Sequence, residues 1–121
     1  MTGIDIVEID RIREKAENET FLKSVFAESE LNYYSSRGKR AETLAGMFCA
    51  KEAVAKALGT GFRGFRPIDV EILHDDLGAP KVKLNEKLVS VLKGRRIEIS
   101  ISHCNSYATA VCVIYDGAAE I

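Results

Sequence analysis

Apolar and polar positions divide the chain into short, alternating blocks. The run TGIDIVEI predicts a strand from Ile4 to Ile9, with Asp5 set among Ile4, Ile6, Val7 and Ile9. The polar segment DRIREKAEN after it predicts a short helix. FLKSVF and SELNYYSS read as two helical pieces split near Ala27–Ser29. A longer helix is predicted from Lys39 to Leu58, free of glycine and proline after Gly46 and closed by Gly59. GTGFRGFRP is glycine-rich and reads as a loop. IDVEIL and KVKL read as strands joined by the turn HDDLGAP. NEKLVSVLKG predicts a helix capped by Asn85 and ended by Gly94, with Leu88, Val89, Val91 and Leu92 as its apolar side. RIEISISH alternates strictly, YATAVCVIY is more uniformly apolar, and the CNS link between them predicts an antiparallel hairpin. Helices in runs with antiparallel strands elsewhere make the fold class α+β.

The long helix carries the first chemical signal. At about 100° per residue, Leu44, Met47, Phe48, Val54, Ala55 and Leu58 share one stripe. Glu52 and Lys56 lie together on its flank, where core meets solvent. By themselves they describe an ordinary solvated pair. Lys51, however, points near the middle of the stripe, and the helix runs into a loop holding Arg63 and Arg66, a setting that suits phosphate. Asp5 poses a related question, because a buried carboxylate costs several kcal/mol unless something pairs with it.

Composition narrows the classes. With 121 residues, 46% hydrophobic and 29% charged, the chain reads as one folded domain, residues 1–121. Seventeen basic residues against eighteen acidic ones leave no global field toward nucleic acid or an anionic membrane. The longest apolar run, ATAVCVIY, is far short of the roughly twenty residues of a membrane span. The N-terminus lacks a basic-then-apolar signal pattern. Cys49, Cys104 and Cys112 have no metal-ligand spacing and read as reduced thiols of a cytoplasmic protein, Cys112 as packing. There is no internal repeat.

Four stretches, GIDIVEIDRI, FCAKEAVAKALGTG, DVEI with its GAP turn, and SISH, together resemble the holo-acyl-carrier-protein synthase family of phosphopantetheinyl transferases. They occur in the family's order and span almost the whole chain. The resemblance implies a phosphopantetheinyl transferase fold, an antiparallel sheet against a long catalytic helix. It implies transfer of the 4′-phosphopantetheine arm of coenzyme A to a serine of an apo acyl carrier protein, releasing 3′,5′-ADP in support of fatty acid biosynthesis. It further implies Mg²⁺ held by Asp5 and Glu52, which answers the question posed by Asp5. Two carboxylates suit that ion, which keeps waters and phosphate oxygens as its other ligands.

The same resemblance assigns catalysis to Glu52 and Lys56. Lys56 neutralises phosphate charge, and Glu52 accepts the serine proton directly or through a metal-bound water. Lys56, Gly59, Ser102, His103, Lys39 and Arg40 fall at coenzyme A positions. The alternative for His103 is a core-edge imidazole continuing the Ile97, Ile99, Ile101 face; His74, in a polar turn, reads as surface. One departure is Met47, where many members carry a basic residue. Arg11, with Arg13 and Lys15, matches the basic helix on which the family docks its acidic carrier protein. The family forms cyclic trimers with active sites between subunits, which implies a homotrimer whose metal side and nucleotide side come from different subunits. Two rival readings are a non-catalytic metal- or nucleotide-binding regulatory domain of the same fold, and a transferase for polyketide or peptide synthetase carriers. Enzymes of the latter kind have two pseudo-repeated halves, and this chain has the length of one.

Overall fold

A computed structural model describes residues 1–59, 61 and 63–117. The order is β1 (Thr2–Glu8), α1 (Ile9–Lys15), α2 (Glu19–Val25), α3 (Glu28–Ser36), α4 (Ala41–Ala57), a 3₁₀ turn (Pro67–Asp69), β2 (Val70–His74), β3 (Pro80–Leu84), α5 (Glu86–Leu92), β4 (Arg96–His103) and β5 (Tyr107–Tyr115). This is the α+β arrangement expected. Of the glycine-rich loop, Thr60 and Phe62 lie outside the described residues.

Local chemistry sets several boundaries. The Asn18 side chain accepts hydrogen bonds from the N–H groups of Thr20 and Phe21 and starts α2. Asn85 accepts from the Leu88 N–H and starts α5. Leu58 caps α4, and Gly59 follows with φ +80°, a conformation that suits a residue without a side chain.

The strands form two antiparallel sheets, β1-β5-β4 and β2-β3. In the first, Asp5 pairs with Ala110 and Ile101 with Ala110, while His103 pairs with Ala108. Alternation therefore sends Gly3, Asp5 and Val7, Ala108, Ala110, Cys112 and Ile114, and Ile97, Ile99, Ile101 and His103 to one face. That face covers α4. Ala108, Ala110 and Cys112 are small and fully buried, so the helix seats close to the sheet. The approach is closest at β1, where a Cβ on Gly3 would stand 2.0 Å from the Ala53 carbonyl oxygen and 2.5 Å from the Ala57 nitrogen.

Helix α4 is buried on more than the expected stripe. Ala45, Cys49, Ala50 and Ala53 are as inaccessible as Leu44 and Val54. Sheet, α1, α3 and β2 enclose it from several sides. Lys51 is accordingly sealed in, and its three ammonium donors go to Glu30 Oε1 at 2.8 Å and to the Pro67 and Val70 carbonyls. The placement of Lys51 in the stripe is thus a structural tie, not part of a phosphate site. Glu30 is satisfied in turn by the N–H groups of Ala27 and Ile72.

Two other expectations are corrected. Val89 and Val91 are exposed, because α5 is two turns long and buries only Leu88 and Leu92. His74 is half-buried, its ring stacked on Tyr33 at 3.8 Å between centroids and 1° between planes.

Candidate active site

Asp5 is at the middle of β1, an edge strand, on the face that meets α4. Its Oδ1 lies 3.1 Å from Lys56 Nζ, and the same ammonium donates to the Ile4 carbonyl at 3.0 Å. The expected Glu52–Lys56 pair is absent among the described ion pairs; Lys56 reaches across to β1 instead, because α4 and β1 are so close. Asp5 is only 17% exposed, whereas Lys56 is 53% exposed and keeps one donor free for a ligand. The Thr109 hydroxyl donates to the Asp5 carbonyl at 2.7 Å and steadies the strand at this point.

Glu52 is half-buried beside these groups. Burial pushes its carboxyl above the ordinary value, and the charge of Asp5 pushes it further, against Lys56 and Lys15. A half-buried carboxylate pushed up by the charge of a second carboxylate is a place where a cation binds favourably. The thiol of Cys49 does not compete. Burial above all, then Asp5 and Glu52, push it up to about 12, and it donates to the Ala108 carbonyl. No cluster of three or more acidic, histidine or cysteine side chains occurs among the described residues, so any ion here has two protein carboxylates at most. That donor set fits Mg²⁺, whose remaining positions go to water and phosphate.

A cavity of about 190 Å³ opens at this point, with Asp5 and Glu52 in its wall and Arg11 and Lys15 at its border. Arg11 and Lys15 are four residues apart on α1 and share a face. Arg13 is on the other side, paired with Asp10 and, at 3.8 Å, with Glu42. The expected basic trio is thus split two and one, as helical spacing alone implies.

His103 lines a second cavity of about 430 Å³, together with Arg40, Met47 and the Gly78–Pro80 turn. Arg40 is the N-cap of α4 and pairs with Glu42 at 3.0 Å. Met47 is 1% exposed and forms apolar floor. Lys39 is exposed, with φ 54°. Ser102 is exposed on the opposite face of the sheet from Asp5 and His103, as its register with Thr109 requires. Gly59 follows one turn after Lys56 and donates its N–H to the Lys56 carbonyl at 3.0 Å. Arg63 and Arg66 are exposed and line neither cavity.

The family model described as "4′-phosphopantetheinyl transferase superfamily" matches residues 1–112. The chain belongs to this superfamily. It is 48% identical over 116 residues to a holo-[acyl-carrier-protein] synthase of Fusobacterium nucleatum, covering 93% of this chain and 95% of that protein. Its fold is similar to that of the Helicobacter pylori holo-[acyl-carrier-protein] synthase in complex with coenzyme A. There the TM-score is 0.86 at 32% identity, over 94% of this chain and 99% of the other. A Bacillus anthracis synthase in complex with CoA (3′,5′-ADP) superposes with a TM-score of 0.79 at 31% identity, over 96% of each chain. Within the superfamily frame, three residues near the candidate site had no motif to announce them. Thr109 is a polar break in an apolar strand, a signal that was readable. Tyr33 and Arg37 line the second cavity only because α3 folds against β2, which no local pattern discloses.

Proposed function

We propose that this chain is a holo-[acyl-carrier-protein] synthase, moving 4′-phosphopantetheine from coenzyme A to a serine of an acidic apo acyl carrier protein in the cytoplasm. The observation that carries the reading is the Asp5–Lys56 contact at 3.1 Å with Glu52 beside it, in a chain of this superfamily. Asp5 and Glu52 are the residues that would hold Mg²⁺. When bound, that ion supplies charge neutralisation at the diphosphate.

The chain's own residues supply the remainder. Lys56, fixed by the Ile4 carbonyl and Asp5, turns its free donor toward a phosphate oxygen. Glu52, its basicity raised by burial and by Asp5, accepts the proton of the carrier serine, directly or through a water. The serine oxygen bonds to the β-phosphorus, the bond to the bridging oxygen breaks, and 3′,5′-ADP leaves with that oxygen. Catalysis of this kind rests on positioning and charge. The cavity at His103 and Arg40 takes the nucleotide, and Lys39 and Gly59 border the coenzyme A path; Ser102, on the outer face of the sheet, lines neither cavity. Arg11 and Lys15, exposed at the rim beside Glu52, receive the carrier, with Arg13 behind them.

The active unit is a cyclic homotrimer. Support comes from the outer face of the β1-β5-β4 sheet, where Ile4 is 65%, Ile6 64% and Val113 38% exposed. Apolar side chains gathered on one uncovered face favour burial against another copy. A cytoplasmic setting agrees with three free cysteines, one of them exposed; no helix among the described residues is long and apolar enough to cross a membrane.

The test is intact mass spectrometry of apo carrier protein incubated with the enzyme, coenzyme A and Mg²⁺. Wild type is expected to add one phosphopantetheine. Asp5→Asn and Glu52→Gln are expected to add almost none while keeping wild-type circular dichroism. An unmodified carrier with the wild type would favour a regulatory domain without activity.

A further inference from the structure

Asp5 is pinned on both sides of its Cα. Before it, the Ile4 carbonyl accepts from Lys56 Nζ at 3.0 Å; after it, the carbonyl of Asp5 itself accepts from the Thr109 hydroxyl at 2.7 Å. The two peptide planes that flank the Cα are both held, and together they set where the Cβ and the carboxylate point. The position needs such anchors, because β1 is an edge strand with β5 as its one sheet neighbour.

Thr109 is also out of keeping with its own strand. Alternation places it on the outer face of β5 with Val111 and Val113. A half-buried hydroxyl among such neighbours costs free energy unless it is bonded, and valine has the same shape without that cost. The bond it makes goes to Asp5. One residue back, the Ala108 carbonyl accepts from the Cys49 thiol at 3.3 Å, and Cys49 stands one turn before Glu52 on α4. The Ala108–Thr109 step of β5 is therefore bonded on one side to the strand that carries Asp5 and on the other to the helix that carries Glu52. Both carboxylates in the wall of the small cavity are referred to the same dipeptide.

We infer that Thr109 is a positioning residue for the cation site: its hydroxyl sets Asp5 at the separation from Glu52 that a small divalent cation requires. This inference rests on the proposed transfer reaction, which assigns Mg²⁺ to that pair. Mg²⁺ demands near-octahedral ligands at about 2.0–2.1 Å, so a carboxylate that drifts with its strand is lost to it. Ca²⁺ is larger and accepts more ligands in looser geometry, so it follows such drift with less penalty. Thr109 touches neither carboxylate oxygen nor ion; it acts through the main chain of Asp5.

The experiment titrates the full chain with MgCl₂, and separately with CaCl₂, and reads apparent affinity from the rise in melting temperature. Wild type is expected to melt higher as Mg²⁺ rises. Thr109→Val keeps the shape and removes the donor. It should melt close to wild type without cation, yet bind Mg²⁺ about tenfold more weakly, the lower end of what supporting residues contribute at metal sites. Its loss of Ca²⁺ affinity should be smaller. Thr109→Ser restores the hydroxyl and should bind Mg²⁺ nearly as tightly as wild type. Thr109→Ala, also without the donor, should repeat the loss and decides the matter if the valine variant does not fold. Wild-type Mg²⁺ affinity in the variants without the hydroxyl overturns the inference. So does an equal loss for both cations, or a serine variant no better than the valine one. A wild type whose melting ignores Mg²⁺ removes the cation site and this inference with it. Weakened Mg²⁺ binding in Thr109→Val, beside a wild type that transfers nothing to the carrier, removes the proposed reaction and leaves this inference standing.

Discussion

Lys51 Nζ stands 2.8 Å from Glu30 Oε1, and neither side chain shows more than 1% of its surface to solvent. The pair joins α4 to α3, and its remaining bonds reach the Pro67 turn and both ends of the Val70–Ile72 segment of β2. Burying two charges costs much of what their attraction returns, so the pair adds order more than stability. Breaking it is another matter. Lys51→Met leaves buried Glu30 without its counter-charge, with only the Ala27 and Ile72 N–H groups beside it, and is expected to lose about 3–5 kcal/mol in urea denaturation. Lys51→Met combined with Glu30→Leu should regain most of that loss. A single variant as stable as wild type would show that the contact carries no such burden.

Glu52 yields a pH signature. Its folded carboxyl is held above the ordinary value of 4.5 by burial and then by Asp5. The folded state thus binds this proton more tightly than the unfolded chain. Ionisation penalises the fold as pH rises from the ordinary value through the folded one, and the penalty is complete above it. Without divalent cation at neutral pH, Glu52→Gln should therefore melt higher than wild type. Below about pH 4 the difference should vanish, since both states then carry the proton. Added Mg²⁺ should raise the wild-type melting temperature and leave the variant nearly unchanged. Calorimetric scans across pH, with and without the ion, decide it; a variant that melts lower than wild type at neutral pH without the ion refutes the argument.

Arg11 and Arg13 differ by two positions on α1 and belong to different surroundings. Arg11→Glu is expected to raise KM for the carrier severalfold or more with little change in KM for coenzyme A, because it sets a like charge against an acidic partner. Rising salt should weaken the wild type more than the variant. Arg13→Glu, facing Asp10 and Glu42, should have the smaller effect on the carrier. Steady-state kinetics with each substrate varied in turn would expose the reverse order.

Glu52 and His103 line separate cavities of one chain. In a trimer with shared sites, His103→Ala and Glu52→Gln damage different halves. Unfolding and refolding the two inactive variants together should restore measurable transfer at mixed interfaces that join two intact halves. Sedimentation of a fully active monomer would exclude the arrangement.

Much of this architecture was legible residue by residue. The alternation in RIEISISH placed Ile97, Ile99 and Ile101 on one face, and Gly59 marked the end of α4. Both signals are local, and local geometry decides them. Lys51 advertised burial by sitting in an apolar stripe, yet its partner Glu30 lies 21 positions earlier and no spacing rule connects them. Lys56 was readable as a neighbour of Glu52, while its contact with Asp5 depends on how near β1 approaches the helix. His74 read as surface because turns usually are, and only the packing of α3 on β2 brings Tyr33 over it. Val89 and Val91 looked like core by hydropathy, but a two-turn helix has room to bury only one narrow side.

The contact of Gly3 with α4 reaches beyond packing. Every possible replacement at residue 3 introduces a Cβ, and that atom would collide with the backbone at Ala53 and Ala57. No flexible side-chain end is available to yield, so β1 itself must lift. Asp5 rides two residues further along the same strand and would be carried away from Lys56. The reach between strand and helix is thus set by a missing atom, and drift has no neutral step to take at this position. A lineage that altered residue 3 would lose the alignment of its two carboxylates while still possessing both of them.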